Sequence, residues 1–335
     1  MVHENSYERQ ENRAIRNGRH SAMVQTVPSI SVIVVSWNAK KYLEQCIQSF
    51  LNCPELNAVE IIVVDNASSD GSPEFIKQNY PGVKLICNAD NLGFARANNI
   101  GIKHSQGKYL FLINSDVVVY PNCIESMVDY MERHPEIGLL GPRIVGTDHK
   151  VQRSCMGYPS LWNTFCRAVL LDGIFPHVKL FSGFLMKYWA HDSIKEVDVI
   201  NGCFWSVRRR AIEEVGLLDE DFFMYAEDID WCKRFNSAGW KVVYFPLAEA
   251  LHYGGASSVN APIRFYIEMQ KANLKFWGKH YGKLSRSVYL CIIFLHQSLR
   301  ALGYALHYAF APKTRDTSSY KIKRSFAAIL ALLSK

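Results

Sequence analysis

Lys108-Tyr-Leu-Phe-Leu-Ile-Asn-Ser-Asp116 is the stretch whose reading decides the fold. Five apolar residues, Tyr109 through Ile113, run without alternation into a polar tip, Asn114-Ser115-Asp116. An unalternating apolar run of this length predicts a strand buried on both faces. In open parallel sheets, ligands gather beyond the carboxyl ends of the strands. Asp116 therefore stands where a ligand or a metal would be met. An Asx-type turn that merely closes the strand is the structural alternative, and the neighbouring segments bear on the choice.

Three upstream segments repeat the pattern. Ile30-Ser-Val-Ile-Val-Val35 ends in Ser36-Trp37-Asn38, and Val59-Glu-Ile-Ile-Val-Val64 ends in Asp65-Asn66-Ala67. A third run, 83–87, leads to Asn88-Ala-Asp-Asn91-Leu92-Gly93. Helical stretches are predicted between them at about 41–51, after Pro73 and at about 94–103. Alternating strand and helix implies a mostly parallel sheet flanked by helices, an α/β class. The four polar strand ends should then converge on one rim. That rim offers an aromatic ring at Trp37, carboxylates at Asp65 and Asp116, and amides at Asn66, Asn91 and Asn99. Such a set can pack on a base, accept from an imide or a ribose hydroxyl, and hold a metal against a diphosphate. Each residue also has an ordinary turn-forming reading; recurrence at successive strand ends favours the binding one.

The chain has 335 residues, 49% apolar and 21% charged, with a net charge of +7. This is globular composition, and the charge suits an anionic partner such as a phosphate ligand or an acidic membrane surface. No zinc-finger, RNP or recognition-helix pattern is present, so nucleic-acid binding is not expected. No G-x-G-x-x-G follows the first strand, which argues against a dehydrogenase. Nine scattered cysteines without a C-x-x-C argue for a reducing compartment over a disulfide framework or zinc site. Residues 1–27 read as a solvated, charged tail, with no apolar core of a signal peptide.

Downstream, a helix is expected over about 121–135 and a strand near 138–145, followed by an irregular, aromatic-rich segment, 147–195. Such a segment suits a lid or binding loop, facing a sugar or a lipid, although core packing accounts equally for single rings. Val199-Ile-Asn-Gly202-Cys-Phe-Trp205 then enters a basic turn at Arg208-Arg209. Glu227, Asp228 and Asp230 follow at a predicted helix start beside Trp231. Carboxylates in a first turn are favoured by the helix dipole; one of them can equally serve as a general base. A strand at 240–245 leads to His252 and a glycine turn. Beyond 260 the sequence becomes basic and apolar. A helix is expected at 263–281, then an apolar run, Val288 to Leu295, interrupted by His296 and Arg300. A central arginine costs about 2.5–3.5 kcal/mol on insertion scales. An interfacial amphipathic helix near Lys321, Lys323 and Arg324 is favoured over a span, with a packing cap as the structural alternative.

Val32-Ile-Val-Val-Ser-Trp-Asn38, Ile62-Val-Val-Asp-Asn-Ala-Ser-Ser-Asp-Gly71, Asn91-Leu-Gly-Phe-Ala-Arg-Ala-Asn-Asn-Ile-Gly101 and Leu112-Ile-Asn-Ser-Asp116 together resemble family 2 glycosyltransferases, nearest the rhamnosyltransferase-like branch. The resemblance covers roughly residues 29–260 and implies a GT-A fold over 28–260; the basic and apolar pattern beyond it marks 261–335 as a helical, membrane-associating region. It implies an inverting transfer from a dTDP- or UDP-sugar, rhamnose or a similar deoxyhexose or hexose, to a glycan or lipid-linked acceptor. The location implied is the cytoplasmic face of the membrane. By the resemblance, Trp37, Asp65, Asn66, Asn91, Gly93, Asn99, Asn114 and Asp116 hold the nucleotide sugar. Asp116 and His252 hold Mg²⁺ or Mn²⁺, with Asn114 supplying one charge fewer than the usual Asp. Gly202, Trp205, Glu227 and Trp231 lie on the acceptor side, and Asp228 is the base. A catalytically silent nucleotide-sugar-binding protein is the alternative, disfavoured by the intact Glu227-Asp228 pair. A nucleotidyltransferase is a second, disfavoured because no glycine-rich basic phosphate loop is present.

Overall fold

The computed structural model describes residues 30–52, 59–255 and 262–333; the expected tail at 1–27 lies outside them. In chain order the strands are β1 (Ile30–Ser36), β2 (Val59–Asp65), β3 (Lys84–Cys87), β4 (Tyr109–Asn114), β5 (Val117–Val119), β6 (Ile137–Val145), β7 (Val151–Gln152), β8 (Cys155–Met156), β9 (Lys195–Glu196), β10 (Val199–Ile200), β11 (Phe204–Arg208) and β12 (Lys241–His252). The main sheet runs β3-β2-β1-β4-β11-β6-β12-β5, with β7 and β9 attached to its second half. Strands β3, β2, β1 and β4 are parallel, as the alternating pattern predicts.

Alternate residues of β1 serve opposite faces, which is why the run is apolar throughout. Val32 and Val34 pack with Leu43 and Ile47 of the helix Lys40–Leu51, and Ile33 packs on the opposite face with Ala97 and Ile102 of the helix Phe94–Lys103. Each fully buried side chain of this size contributes about 1.5–3 kcal/mol. Gly101 lets the second helix approach: a Cβ there would sit 2.3 Å from Ile33 Cγ2.

Two features of the second half build the site. Strand β11 inserts antiparallel between β4 and β6, so that the Asn114 N–H donates to the Cys203 carbonyl (3.0 Å). The start of β11 thus meets the carboxyl end of β4. Strand β5 pairs antiparallel with the end of β12, His252 opposite Val117, which brings Asp116 beside His252. The sequence reading stops this last strand at Phe245. It continues instead to His252, absorbing Pro246 in an irregularity between Phe245 and Glu249, where no ladder N–H is required. The 147–195 segment is also more regular than expected, with helices Leu161–Ala168, Leu171–Ile174 and Lys179–Ser182. The first of these carries a reciprocal Ser160–Asn163 capping box.

The basic turn after β11 is structural. Arg208 is buried, and its guanidinium donates to the carbonyls of Met131 (2.6 Å), Ile137 (3.0 Å) and His134 (3.2 Å). It satisfies carbonyls left over at the end of the helix Cys123–Arg133. At the carboxyl end of the chain, the helix Pro262–Phe310 breaks at Gly282 (φ +79°) and is followed by Arg315–Leu333, packed against it.

Candidate active site

A cavity of about 250 Å³ opens at the strand ends, lined among others by Trp37, Asn66, Asn91, Gly93, Asn114, Asp116 and His252. Seven residues singled out from sequence thus meet around one space. Phe223, Met224, Tyr225 and Phe265 complete its wall, and the sequence reading passed over all four. Tyr225 and Ala226 adopt left-handed backbone (φ +70° and +61°), which turns the wall into the helix Glu227–Ser237. No periodicity signals such a turn.

Gly93 fixes the wall. Its φ is +83°, and a Cβ would sit 2.2 Å from the Phe223 carbonyl oxygen, which accepts from the Phe94 N–H at 2.7 Å. Asn91 Oδ1 accepts from the Gly93 N–H (3.0 Å), and Asn66 donates to the Gly93 carbonyl (3.1 Å) while accepting from Asn88 (2.8 Å). These amides shape the rim. The ring of Trp37 stands edge-on to Phe265 at 6.1 Å. Behind Asn66, Asp65 is buried; its Oδ2 accepts from the Ser68 N–H (2.8 Å), while Oδ1 has no partner among the described residues. A buried carboxylate oxygen without a donor is costly, and a ligand N–H or O–H would relieve it.

At the other side, Asp116 Oδ1 lies 3.3 Å from His252 Nε2. Gln152 sets the imidazole. Its Nε2 donates to the His252 carbonyl (2.8 Å), which leaves Oε1 to accept from Nδ1–H (3.0 Å). Nε2 then faces a carboxylate, a pair of donor atoms that a divalent cation could bridge. Ligand atoms about 2.1 Å from one octahedral ion lie about 3 Å apart, so the pair fits adjacent positions on Mg²⁺ or Mn²⁺. Among the described residues no third His, Cys, Asp or Glu joins them. The remaining positions would fall to phosphate oxygens and water.

Beyond the Phe223–Tyr225 wall, Asp228 Oδ1 accepts from the Ile229 N–H (2.8 Å). Burial pushes the Asp228 carboxyl up to about 6, against the opposing pull of the backbone at Ile229 and Gly202. Burial, then the charge of Asp228, holds Glu227 well above the usual carboxylate range, and its Oε2 has no partner among the described residues. The buried Cys203 thiol is pushed up to about 12 by burial, then by Asp116 and more weakly by Asp228, so it lies near both carboxylates.

Other expected site residues sit elsewhere. Both polar ends of Asn99 are taken by the Leu218 backbone and Glu220, so it staples the helix Phe94–Lys103 to a loop. Trp205 and Trp231 are core: their rings pack at 5.4 Å and their indole N–H groups donate to Ile200 and Gly216 carbonyls. Gly202, by contrast, stays beside the candidate base: its backbone hydrogen-bonds to Asp228, and a Cβ there would meet the ring of Phe94 at 3.1 Å. Asp230 is fully buried against Arg234 (2.8 Å), Lys279 (2.6 Å) and His280 (2.7 Å), which occupies both its oxygens and removes it as a candidate base.

Known proteins share this sequence pattern and fold. The glycosyl transferase family 2 model matches residues 31–216. An N-acetylglucosaminyl-diphospho-decaprenol L-rhamnosyltransferase of Mycobacterium tuberculosis is 32% identical over 265 residues, covering 76% of this chain and 85% of that protein. A mannosyltransferase from Pyrobaculum calidifontis, solved with GDP-Man and Mn²⁺, superposes with a TM-score of 0.52 at 15% identity, over 97% of this chain and 95% of that one. GalNAc-T7, solved with UDP, GalNAc and Mn²⁺, gives 0.53 at 17% identity over 77% of this chain, which spans 49% of that protein. The fold is GT-A, and the chain is a glycosyltransferase that belongs to family 2, in its rhamnosyltransferase-like branch.

Proposed function

We propose that this enzyme is an inverting transferase acting at the cytoplasmic face of the membrane. It moves rhamnose, or a similar deoxyhexose or hexose, from a dTDP- or UDP-sugar to a hydroxyl of a lipid-linked or glycan acceptor. What supports the reading is a division of chemistry about one cavity: the Asp116–His252 pair at one wall, and Asp228, poised near neutrality, just beyond another. The lipid-linked acceptor is suggested by the name of the mycobacterial relative. On this reading 28–260 is the catalytic unit and 261–335 the membrane-associating extension, with Leu284, Leu302, Leu306 and Phe310 exposed on it. The 49-residue helix Pro262–Phe310 is long and apolar enough to span a bilayer by length and composition. Arg300 within it favours lying in the interface.

In the proposed mechanism, Trp37 packs on the base and Asp65 Oδ1 accepts from the nucleoside. Asp116 and His252 would hold a divalent metal, which would supply positive charge for the departing nucleoside diphosphate. Asp228 takes the proton of the acceptor hydroxyl as its oxygen attacks the anomeric carbon. The bond from that carbon to the diphosphate breaks, and its electron pair leaves with the nucleotide. A single displacement inverts the configuration. Burial and the charge of Asp228 hold Glu227 well above the usual carboxylate range, which opposes a second negative charge beside the base. The test is incubation of nucleotide sugars, dTDP-rhamnose first, with a short-chain N-acetylglucosaminyl-diphospho-prenol, reading nucleotide release and the anomeric configuration of the product. Release from no donor, or a retained configuration, refutes it.

A further inference from the structure

A second cavity, of about 190 Å³, lies between the helix Leu161–Ala168 and the helix Pro262–Phe310. Two guanidinium groups, of Arg167 and Arg300, line it together with the imidazole of His296. Their charges are poorly answered. The acidic residue acting on Arg167 and His296 is Asp172, and Asp172 is already paired with Lys187 at 2.9 Å. Arg300 Nε and His296 Nδ1 are buried without a partner among the described residues, and so is Nε of nearby Arg324, whose guanidinium stacks on Tyr266 at 4.4 Å. Mutual repulsion is felt within the group: Arg300 lowers the pKa of both Arg167 and His296, after burial as the larger cause. Clustered guanidinium groups in a partly enclosed cavity are stable chiefly when an anion joins them, and their fork geometry matches phosphate oxygens.

The cavity adjoins a groove of about 720 Å³, which shares Ala168 and Arg300 with it and is lined among others by Leu170, Leu299, Gly303, Tyr304 and Lys321. Leu170 and Leu299 are 63% and 43% exposed there. A cationic pocket opening onto an apolar groove has the chemistry of an amphiphile whose anionic group adjoins a hydrocarbon chain. The position is also apt. Phe265 lines the donor cavity and Tyr266 lines this one, so the two lie on neighbouring faces of one helix, roughly 10 Å across.

We propose that this cavity and groove form the binding site for the prenyl diphosphate part of the acceptor. Arg167, His296 and Arg300 hold the diphosphate, and the groove holds the first prenyl units. The site deepens the lipid-linked acceptor reading and rests on it. The chain so anchored would present its sugar hydroxyl past Tyr266 toward Asp228.

The test titrates the full-length wild-type protein with farnesyl diphosphate, following Trp277, which lines the cavity. UDP with Mn²⁺ is titrated separately as a report on the donor cavity. Arg167→Gln and Arg300→Gln should each weaken farnesyl diphosphate about tenfold and the double variant about 100-fold, with UDP affinity and melting temperature unchanged. Gly303→Phe, placed where a Cβ meets nothing within 4 Å, should weaken farnesyl diphosphate but not inorganic pyrophosphate. Equal farnesyl diphosphate affinity in wild type and double variant overturns the proposal. So does competition by pyrophosphate or by phosphatidylglycerol vesicles as effective as that by farnesyl diphosphate, which would mark a general anion or membrane surface. Because binding is read without turnover, a donor panel that yields no transfer bears on the proposed function and not on this site.

Discussion

Asp228→Asn should do two opposite things at once. The substitution keeps the shape and keeps an oxygen for the Ile229 N–H, but removes the proton acceptor. Losing general-base assistance costs about 10²–10⁴-fold in turnover. The same change should stabilise the fold. The folded carboxyl sits at about 6 against an ordinary 3.8, so the folded chain binds that proton more tightly than the unfolded one. The cost of ionising it in place is therefore absent below about pH 4, grows between 4 and 6, and is complete above. At tenfold per 1.4 kcal/mol the full gap is roughly 3 kcal/mol; Asp228 is only partly shielded, so about 1–3 kcal/mol is expected. Urea unfolding should show Asp228→Asn more stable than wild type at pH 8 and level with it near pH 4. Wild-type turnover should rise with pH through about 6 and flatten above 7. Glu227→Gln, replacing a group whose ionisation burial and Asp228 oppose, should stay near wild-type activity. A variant with full turnover, or one less stable than wild type at pH 8, would show that Asp228 is only a helix-start carboxylate.

Other outcomes follow from the same geometry. Gln152→Ala frees the His252 ring and should lower Mn²⁺ affinity 10–100-fold in calorimetric titration with UDP, whereas Asp116→Ala should abolish it; an unchanged Gln152→Ala isotherm would sink the tautomer argument. Asp230→Asn should cost about 3 kcal/mol in urea unfolding, the low end for a broken buried pair because Lys279 reaches solvent. A loss below 1 kcal/mol would mean the cations are satisfied elsewhere. Gly93→Ala meets both a left-handed φ and the Phe223 carbonyl, so it should lose at least about 1–3 kcal/mol and most UDP affinity.

What was legible in the sequence was what repeats locally. The runs at Ile30, Val59 and Tyr109 announce buried parallel strands because both faces of each are covered, and the polar residue after each run falls at the same rim. That logic picked out Trp37, Asn114 and Asp116, which line one cavity, with no knowledge of topology, and Asp65 buried beside Asn66. It misplaced Asn99, Trp205 and Trp231, since a polar or aromatic residue near a motif can face either side of its element. Asn99 points away from the cavity toward Leu218, and the two indoles point into the core. Gln152 was out of reach because its partner is 100 residues distant and they meet only through the β6–β7 and β6–β12 pairings. The break at Gly282 and the fold of Arg315–Leu333 onto the long helix depend on packing that no apolar period encodes.

Asp228 and Asp230 stand two residues apart on one helix and meet different partners. Asp230 is fully buried and holds Lys279 and His280 from the carboxyl-terminal helix, while Asp219 takes the other side of the Lys279 ammonium at 2.7 Å. A buried charge cluster adds little net stability over an apolar contact, but it is expensive to mis-register, because a slipped helix leaves a buried carboxylate alone. Its contribution is therefore placement. It fixes how the helix Pro262–Phe310 lies on the helix that carries the candidate base. Phe265, on that same long helix, forms part of the donor-cavity wall, and Tyr266 forms part of the basic cavity. One ionic clamp thus sets the base, the donor wall and the proposed lipid site in a single register. The two carboxylates face different sides of their helix: Asp230 takes the cations of the carboxyl-terminal helix, while Asp228 keeps only backbone donors, at Ile229 and Gly202.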